Sequence, residues 1–103
     1  MLVVNYNTCD LLRDCLLSLR KVVEPSFEIV VVDNASTDDS VAMVRDVFPS
    51  VRLIELENNL GFAGGNMRAY DNARGEYVCF LNSDTRVDPQ FLSEMTRFME
   101  VNP

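Results

Sequence analysis

Four short segments of this 103-residue chain concentrate side-chain oxygens and amides: Asn5-Tyr6-Asn7-Thr8, Asp33-Asn34-Ala35-Ser36, Asn58 to Gly65, and Asn82-Ser83-Asp84-Thr85. None carries a lysine or an arginine. Groups of this kind cap turns and helices, accept hydrogen bonds from a ligand, or hold a hard divalent cation. Asp84 is the sharpest of them. It lies just beyond the apolar run Tyr77 to Leu81, and Asp88 already stands where the next helix wants its cap. Mg²⁺ and Mn²⁺ prefer oxygen ligands, commonly one or two carboxylates together with substrate phosphates. The glycine-rich Gly61-Phe62-Ala63-Gly64-Gly65 lets backbone come close to a ligand or simply turns the chain. It is not GxGxxG, it follows the third apolar run rather than the first, and it lacks Gly-Lys-Ser/Thr, so neither a dinucleotide fingerprint nor a phosphate loop is present.

The rest of the composition narrows the chemistry. There are no histidines, which removes Ser-His-Asp and Cys-His machinery and histidine-ligated zinc. Nine basic residues against sixteen acidic ones leave a net charge of −7, and Lys21 is the single lysine. An acidic chain without a basic stripe is not built to wrap nucleic acid. Cys9, Cys15 and Cys79 form no CxxC pair and are expected as small, free, buried apolar groups in a reducing compartment. No apolar run approaches the roughly 18 residues that span a bilayer, and no basic n-region precedes an apolar segment. The expected location is cytoplasmic, with peripheral membrane attachment of a longer protein left open.

The elements that must position those segments alternate in period. Leu2-Val3-Val4 is a short apolar run, followed by Leu11, Leu12, Cys15, Leu16, Leu19 and Val22 at helical spacing, with Asn7 or Thr8 as cap and Asp10 in the first turn. Glu24-Pro25-Ser26 is expected to stop this helix. Ile29 to Val32 has no polar alternation, as in a parallel strand covered on both faces. Ser36 with Asp39 has the form of a capping box ahead of Val41, Val44, Val47 and Phe48, closed by Pro49. Val51 to Leu56 is a third strand, Asn58 to Gly61 a turn, and Ala69, Tyr70 and Ala73 a third helix ending near Gly75. Glu76 to Leu81 is a fourth strand. Asp88-Pro89 opens a last helix with Phe91, Leu92, Met95, Phe98 and Met99 as its apolar stripe. The order βαβαβαβα predicts an open, mostly parallel α/β sheet with helices on both faces. Its polar loops gather at the carboxyl ends of the strands, where such sheets bind ligands. The short first strand and the helix running to Pro103 suggest the front part of a larger domain.

Taken together, VVNYN, IVVVDNASTDDS, ENNLGFAGGN and ARGEYVCFLNSDT, in this order, resemble the nucleotide-sugar-binding half of family 2 glycosyltransferases, most of all the rhamnosyltransferase-like subgroup. The resemblance covers essentially the whole chain. It implies the Rossmann-like GT-A fold, a nucleoside-diphosphate sugar (UDP- or dTDP-linked) as donor, Mn²⁺ or Mg²⁺ as cofactor, and transfer with inversion to a saccharide or lipid-linked acceptor in the full-length protein. Tyr6 would then lie against the base, and Asp33 would accept a hydrogen bond from it. Asp84 would hold the metal as the last residue of the family's Asp-x-Asp signature, written here as Asn82-Ser83-Asp84. Asn5, Asn34, Gly61, Asn66 and Ser83 complete the expected nucleotide-binding set. Many members carry an arginine near Asn66, whereas here the nearest is Arg68.

Inverting transfer needs a general base for the acceptor hydroxyl. In the family that carboxylate belongs to the acceptor-binding half, so residues 1–103 are expected to be the donor-binding portion, with no catalytic residue of their own and little transfer activity alone. Two other readings make different demands on the sequence. A receiver-like phospho-accepting domain wants paired acids after the first strand and a late lysine, whereas this chain has Asn5 and Asn7 there and Lys21 inside a helix. A non-catalytic nucleotide-binding or scaffold remnant would keep the pocket without the chemistry.

Overall fold

The computed structural model describes residues 1–22, 27–75 and 77–101. The expected helix stop at Glu24-Pro25-Ser26, the strand start at Glu76 and the chain end at Pro103 lie outside the described residues. Four strands, β1 (Leu2–Asn5), β2 (Val30–Asp33), β3 (Arg52–Glu55) and β4 (Phe80–Asn82), alternate with four helices, α1 (Cys9–Arg20), α2 (Ser40–Val47), α3 (Gly61–Asp71) and α4 (Phe91–Val101). The strands form one parallel sheet in the order β3-β2-β1-β4.

Strand position explains strand composition. Every residue of β1 and β2 is buried, because these two are central and covered on both faces. Along them the side chains alternate between two cores. Val3, Val31 and Leu81 face Leu12, Leu16 and Leu19 of α1 and Val44 of α2. Leu2, Val4, Val30 and Val32 face the opposite way, onto Ala69 of α3. Helices thus cover both faces, as the sequence pattern predicts. The buried stripe of α1 runs Leu12, Cys15, Leu16 and Leu19, and Leu11, one position off it, is 47% exposed.

α3 starts earlier than its apolar residues suggest. The glycine-rich segment is not a turn ahead of the helix but its first turns, beginning at Gly61. Gly61 supplies a φ of +76°, which an L side chain adopts only with strain. Gly65 supplies room: a Cβ there would stand 2.6 Å from Val4 Cγ1 and 3.2 Å from Asn34 Nδ2. The glycine is there to let helix approach sheet.

Three expected caps are replaced. Neither Asn7 nor Thr8 caps α1 with its side chain; the Cys9 N–H donates instead to Asp38 Oδ2 at 3.1 Å. The Ser36–Asp39 capping box does not form, since Ser36 is turned toward Asp33 and α2 begins only at Ser40. Asp88 accepts from the Gln90 N–H at 2.9 Å, so Pro89 sits in a turn before α4 rather than at its first position. In the first two cases the acceptors predicted as local caps are committed to neighbouring loops. β4 is also shorter and later than expected, and Met95, Phe98 and Met99 of α4 remain exposed by more than a third, because α1, α2 and α3 already cover the sheet.

The crossovers fix where a ligand can enter. α1 and α2 carry the chain from β1 to β2 to β3 in one direction, and α3 returns it past β1 to β4 on the other face. The loop after β1 leads into α1 and the loop after β4 packs back against the same helix through Val87, while the start of α3 rises on the other face, and a cleft opens between them at this switch point.

Candidate functional site

A pocket of about 410 Å³ occupies that switch point, a volume in the range of small-molecule sites. Its floor includes Val4 and Asn82, which are register partners on β1 and β4. Its walls rise from the first turns of two helices on opposite faces of the sheet: Leu11 from α1, and Gly61 with Phe62 from α3. Tyr6 and Phe62 present half-exposed or exposed rings to it. The polar side of the wall is made of Thr8, Asn34, Asn59, Ser83 and Asp84. Among the described residues no lysine or arginine lines it, and the one formal charge on the wall is the Asp84 carboxylate.

Of the eight residues singled out from the sequence, Tyr6, Asn34, Gly61, Ser83 and Asp84 meet in this one pocket. Asn5 and Asp33 do not line it. They end the adjacent strands β1 and β2 in register, and their side chains are buried beneath the loops. Asn5 Nδ2 donates to Asp33 Oδ1 at 3.1 Å, Ser36 Oγ donates to the same oxygen at 2.7 Å, and the Ser36 N–H donates to Asp33 Oδ2 at 2.9 Å. Asn66 lies a turn further along α3 and away from the pocket wall. Its Oδ1 is buried and, among the described residues, has no hydrogen-bond partner.

The loops that carry the pocket are tied to one another. Asn7 adopts a φ of +52°, a left-handed conformation that asparagine tolerates better than most residues. In that conformation its N–H donates to Ser36 Oγ at 2.9 Å, and its Oδ1 accepts from the Thr37 N–H at 2.7 Å and the Asp38 N–H at 3.3 Å. Asn34, only 2% exposed, uses both ends of its amide on the start of α3. Nδ2 donates to the Gly61 carbonyl at 2.9 Å and Oδ1 accepts from the Leu60 N–H at 2.8 Å. Asn34 therefore shapes the wall with its polar atoms already engaged. Burial alone would raise the Asp38 carboxyl, but the hydrogen bonds it accepts from Ser40 and Cys9 outweigh that and hold it below its ordinary value. Under the pocket, burial pushes the Cys15 thiol up to about 11, with the Asp84 charge adding to the effect.

A second, more open groove runs along Asn7, Cys9, Asp10, Asp38 and Asp39. Two of its carboxylates are already engaged, Asp38 with Cys9 and Ser40, and Asp10 with Arg13 at 2.8 Å. Among the described residues no three acidic, histidine or cysteine side chains cluster as a self-sufficient metal site. A cation at Asp84 would accordingly take one carboxylate from the protein and the rest of its oxygens from ligand and water, an arrangement usual for Mg²⁺. Asp84 fits that role, with only oxygen or amide groups, Ser83 and Asn82, beside it on the wall.

Val4, Thr8, Leu11, Asn59 and Phe62 line the pocket without having been assigned to it from the sequence, and of these Leu11 and Phe62 bring the apolar side chains whose place was read differently. Leu11 looks like part of the α1 core stripe unless one notices that Leu12, Cys15, Leu16 and Leu19 already complete it. Phe62 is hidden inside a segment whose glycines suggest a turn.

The family described as Glycosyl transferase family 2 matches residues 1–103, the whole chain. The succinoglycan biosynthesis protein ExoO of Rhizobium meliloti is 35% identical over 94 residues, 90% of this chain and 27% of that protein. The crystal structure of Staphylococcus aureus TarS (residues 1–349) in complex with UDP-GlcNAc superposes with a TM-score of 0.88 at 30% identity, over 97% of this chain and 30% of that one. The mannosyltransferase PcManGT from Pyrobaculum calidifontis, solved with GDP-Man and Mn²⁺, superposes at 0.87 with 27% identity, over 95% of this chain and 31% of that one. The chain thus spans less than a third of each of these proteins.

Proposed function

The chain belongs to glycosyl transferase family 2 and has its GT-A fold, and we propose that residues 1–103 are the part that binds the nucleoside-diphosphate sugar. One observation carries this reading: Ser83 and Asp84 line a single cleft at the β1/β4 switch point together with Tyr6 and Phe62. Such a cleft has a flat apolar side for a nucleobase and an oxygen-rich side for a cation. The relatives solved with UDP-GlcNAc and with GDP-Man and Mn²⁺ support the ligand class.

In this reading Tyr6 stacks on the base, while Leu11 and Phe62 close the apolar side. Asp33 and Asn5 hold the loops from beneath and set where Tyr6 stands; an additional contact from Asp33 to the base fits its remaining acceptor capacity. Asn34 and Gly61 fix the start of α3, and Asn66 follows on the same helix. Because the wall lacks any basic side chain, the pyrophosphate needs its countercharge from elsewhere, and Asp84 would hold Mn²⁺ or Mg²⁺ for it. Such a cation neutralises charge on the leaving nucleoside diphosphate. Inverting transfer to a saccharide or lipid-linked acceptor belongs to the full-length protein, with the general base supplied beyond Pro103. No helix among the described residues is long and apolar enough to cross a membrane.

Isothermal titration of the chain with UDP, dTDP and GDP, with and without Mn²⁺, tests the proposal. Metal-dependent binding of one or more nucleotides, weakened at least tenfold by Asp84→Ala, is expected; binding that ignores both metal and Asp84 overturns it.

A further inference from the structure

The loop after β1 touches the loop after β4 through two hydroxyls, Thr8 Oγ1 and Ser83 Oγ, 2.9 Å apart. Were the pair isolated, either oxygen could donate. It is not isolated. Thr8 Oγ1 also lies 2.6 Å from Asn5 Oδ1, and a carboxamide oxygen only accepts, so the single Thr8 hydroxyl proton goes to Asn5. The proton between the two hydroxyls is then the one on Ser83.

The orientation of Asn5 is set in turn. Its Nδ2 stands 3.1 Å from Asp33 Oδ1 and 3.3 Å from Ser36 Oγ. Turned over, the amide would press its oxygen against a carboxylate oxygen, with lone pairs on both sides. Ser36 offers no proton to relieve that contact, because its own goes to Asp33 Oδ1 at 2.7 Å. Asn5 is fully buried and Asp33 nearly so, so water does not compete for these bonds.

We infer that Asp33 is a positioning residue acting at a distance: through Asn5 and Thr8 it turns the Ser83 hydroxyl proton inward and leaves Ser83 Oγ as a pure acceptor toward the pocket. The bonds run one way, Ser83 to Thr8 to Asn5 to Asp33. Beside the Asp84 carboxylate, the Ser83 hydroxyl therefore presents only lone pairs, and these two side chains repel an anionic oxygen unless a cation or a hydroxyl donor stands between. Remove the Asp33 carboxylate and the Asn5 amide is released to turn over. Thr8 then accepts from Asn5, donates to Ser83, and the Ser83 proton points outward. What occupies the wall rests on the donor-binding reading; the direction of the relay does not.

The test starts from the ligand-free 103-residue chain by solution NMR. The Thr8 and Ser83 hydroxyl protons are expected to be protected from exchange with water. Thr8→Val is expected to expose the Ser83 proton and shift the Asn5 side-chain amide, Thr8→Ser to restore both, and Asp33→Ala to expose Ser83 while leaving Thr8 protected. A freely exchanging Ser83 hydroxyl in the unaltered chain, or an Asn5 amide indifferent to Thr8→Val, overturns the relay. The Thr8 pair keeps the test decisive should Asp33→Ala fail to fold. In a second arm, UDP is titrated with Mn²⁺ present. Thr8→Val and Ser83→Ala each weaken binding about tenfold, and the double variant is no weaker than the worse single one, the signature of residues acting as one unit. Fully additive losses count against the relay. If the unaltered chain binds no UDP while the ligand-free spectra behave as described, the donor-binding reading fails and the relay stands.

Discussion

The Asn34 side chain bridges β2 to α3, donating to the Gly61 carbonyl at 2.9 Å while accepting from the Leu60 N–H at 2.8 Å. Gly61 has the left-handed φ that starts the helix, so this one amide decides where α3, and with it Phe62, begins. Asn34→Ala removes the partner of a backbone donor and a backbone acceptor at a part-buried junction, a loss of about 1–2 kcal/mol. A fall in the urea midpoint with little change in slope is expected. Asn34→Asp is expected to recover part of it, since the carboxylate still accepts from Leu60 but opposes the Gly61 oxygen. Full stability in Asn34→Ala would show that α3 is placed by packing alone.

Packing contributes through Gly65. A Cβ built there meets Val4 Cγ1 at 2.6 Å, and Val4 is a β-branched residue on a buried central strand with little freedom to move aside. Gly65→Ala is therefore destabilising by about 1–3 kcal/mol, as overpacked cores are, in spite of alanine's better helix propensity. The partner change Val4→Ala makes the room, so the double variant should be less destabilised than the sum of the two single ones. Thermal melts of the four proteins check the cycle. Strict additivity would mean that helix and sheet part instead of interlocking.

These two residues mark where the sequence is legible and where it is not. The strands, three of the four helices and the location of the polar loops follow from periodicity, because each depends on its own local pattern. Ala69 and Tyr70 likewise betray α3, but its start does not show. That start is settled by Asn34, 27 positions upstream of Gly61, and by the tightness of the Gly65–Val4 contact, neither of which leaves a local trace. The capping box expected at Ser36 fails for the same reason. Its hydroxyl is taken by Asp33 and by Asn7, a residue 29 positions away. At the site, five of the eight assigned residues reach the pocket, while Asn5 and Asp33 sit below it. A type-based reading cannot tell a polar residue facing a ligand from one buried against another polar residue, since both are Asn or Asp at the end of a strand.

Cys15 offers a probe of the ground beneath the pocket. It is fully buried, and its thiol is pushed up to about 11, chiefly by burial and secondarily by the charge on Asp84. Because the thiolate is the reactive form, Cys15 should resist iodoacetamide at pH 8 in the folded chain and react once urea unfolds it. The sign for stability follows from the same shift. Between about 9 and 11 the unfolded thiol gives up its proton while the native one keeps it, so this group's contribution falls as pH rises through that window. Cys15→Ala should flatten that part of the pH–stability profile. Rapid native-state labelling of Cys15 at pH 8 would contradict its placement.

Phe62 and Leu16 separate binding from folding. Phe62 is 61% exposed on the pocket wall, and Leu16 is fully buried between α1 and the sheet. Leu16→Ala should cost about 2–5 kcal/mol through lost burial and the cavity left behind. Phe62→Ala removes a ring that folding hardly buries, so its stability should stay within about 0.5 kcal/mol of the parent. Its effect should appear in the titration instead: weaker nucleotide binding, with the metal dependence conferred by Asp84 intact, because the ring bounds the apolar side of the cleft and does not touch the oxygen side. Urea denaturation and calorimetric titration of both variants distinguish the roles. Were Phe62→Ala to unfold the chain while leaving nucleotide affinity unchanged, the ring would belong to the core of α3, and the apolar wall of the cleft would have to be sought at Leu11 and Tyr6.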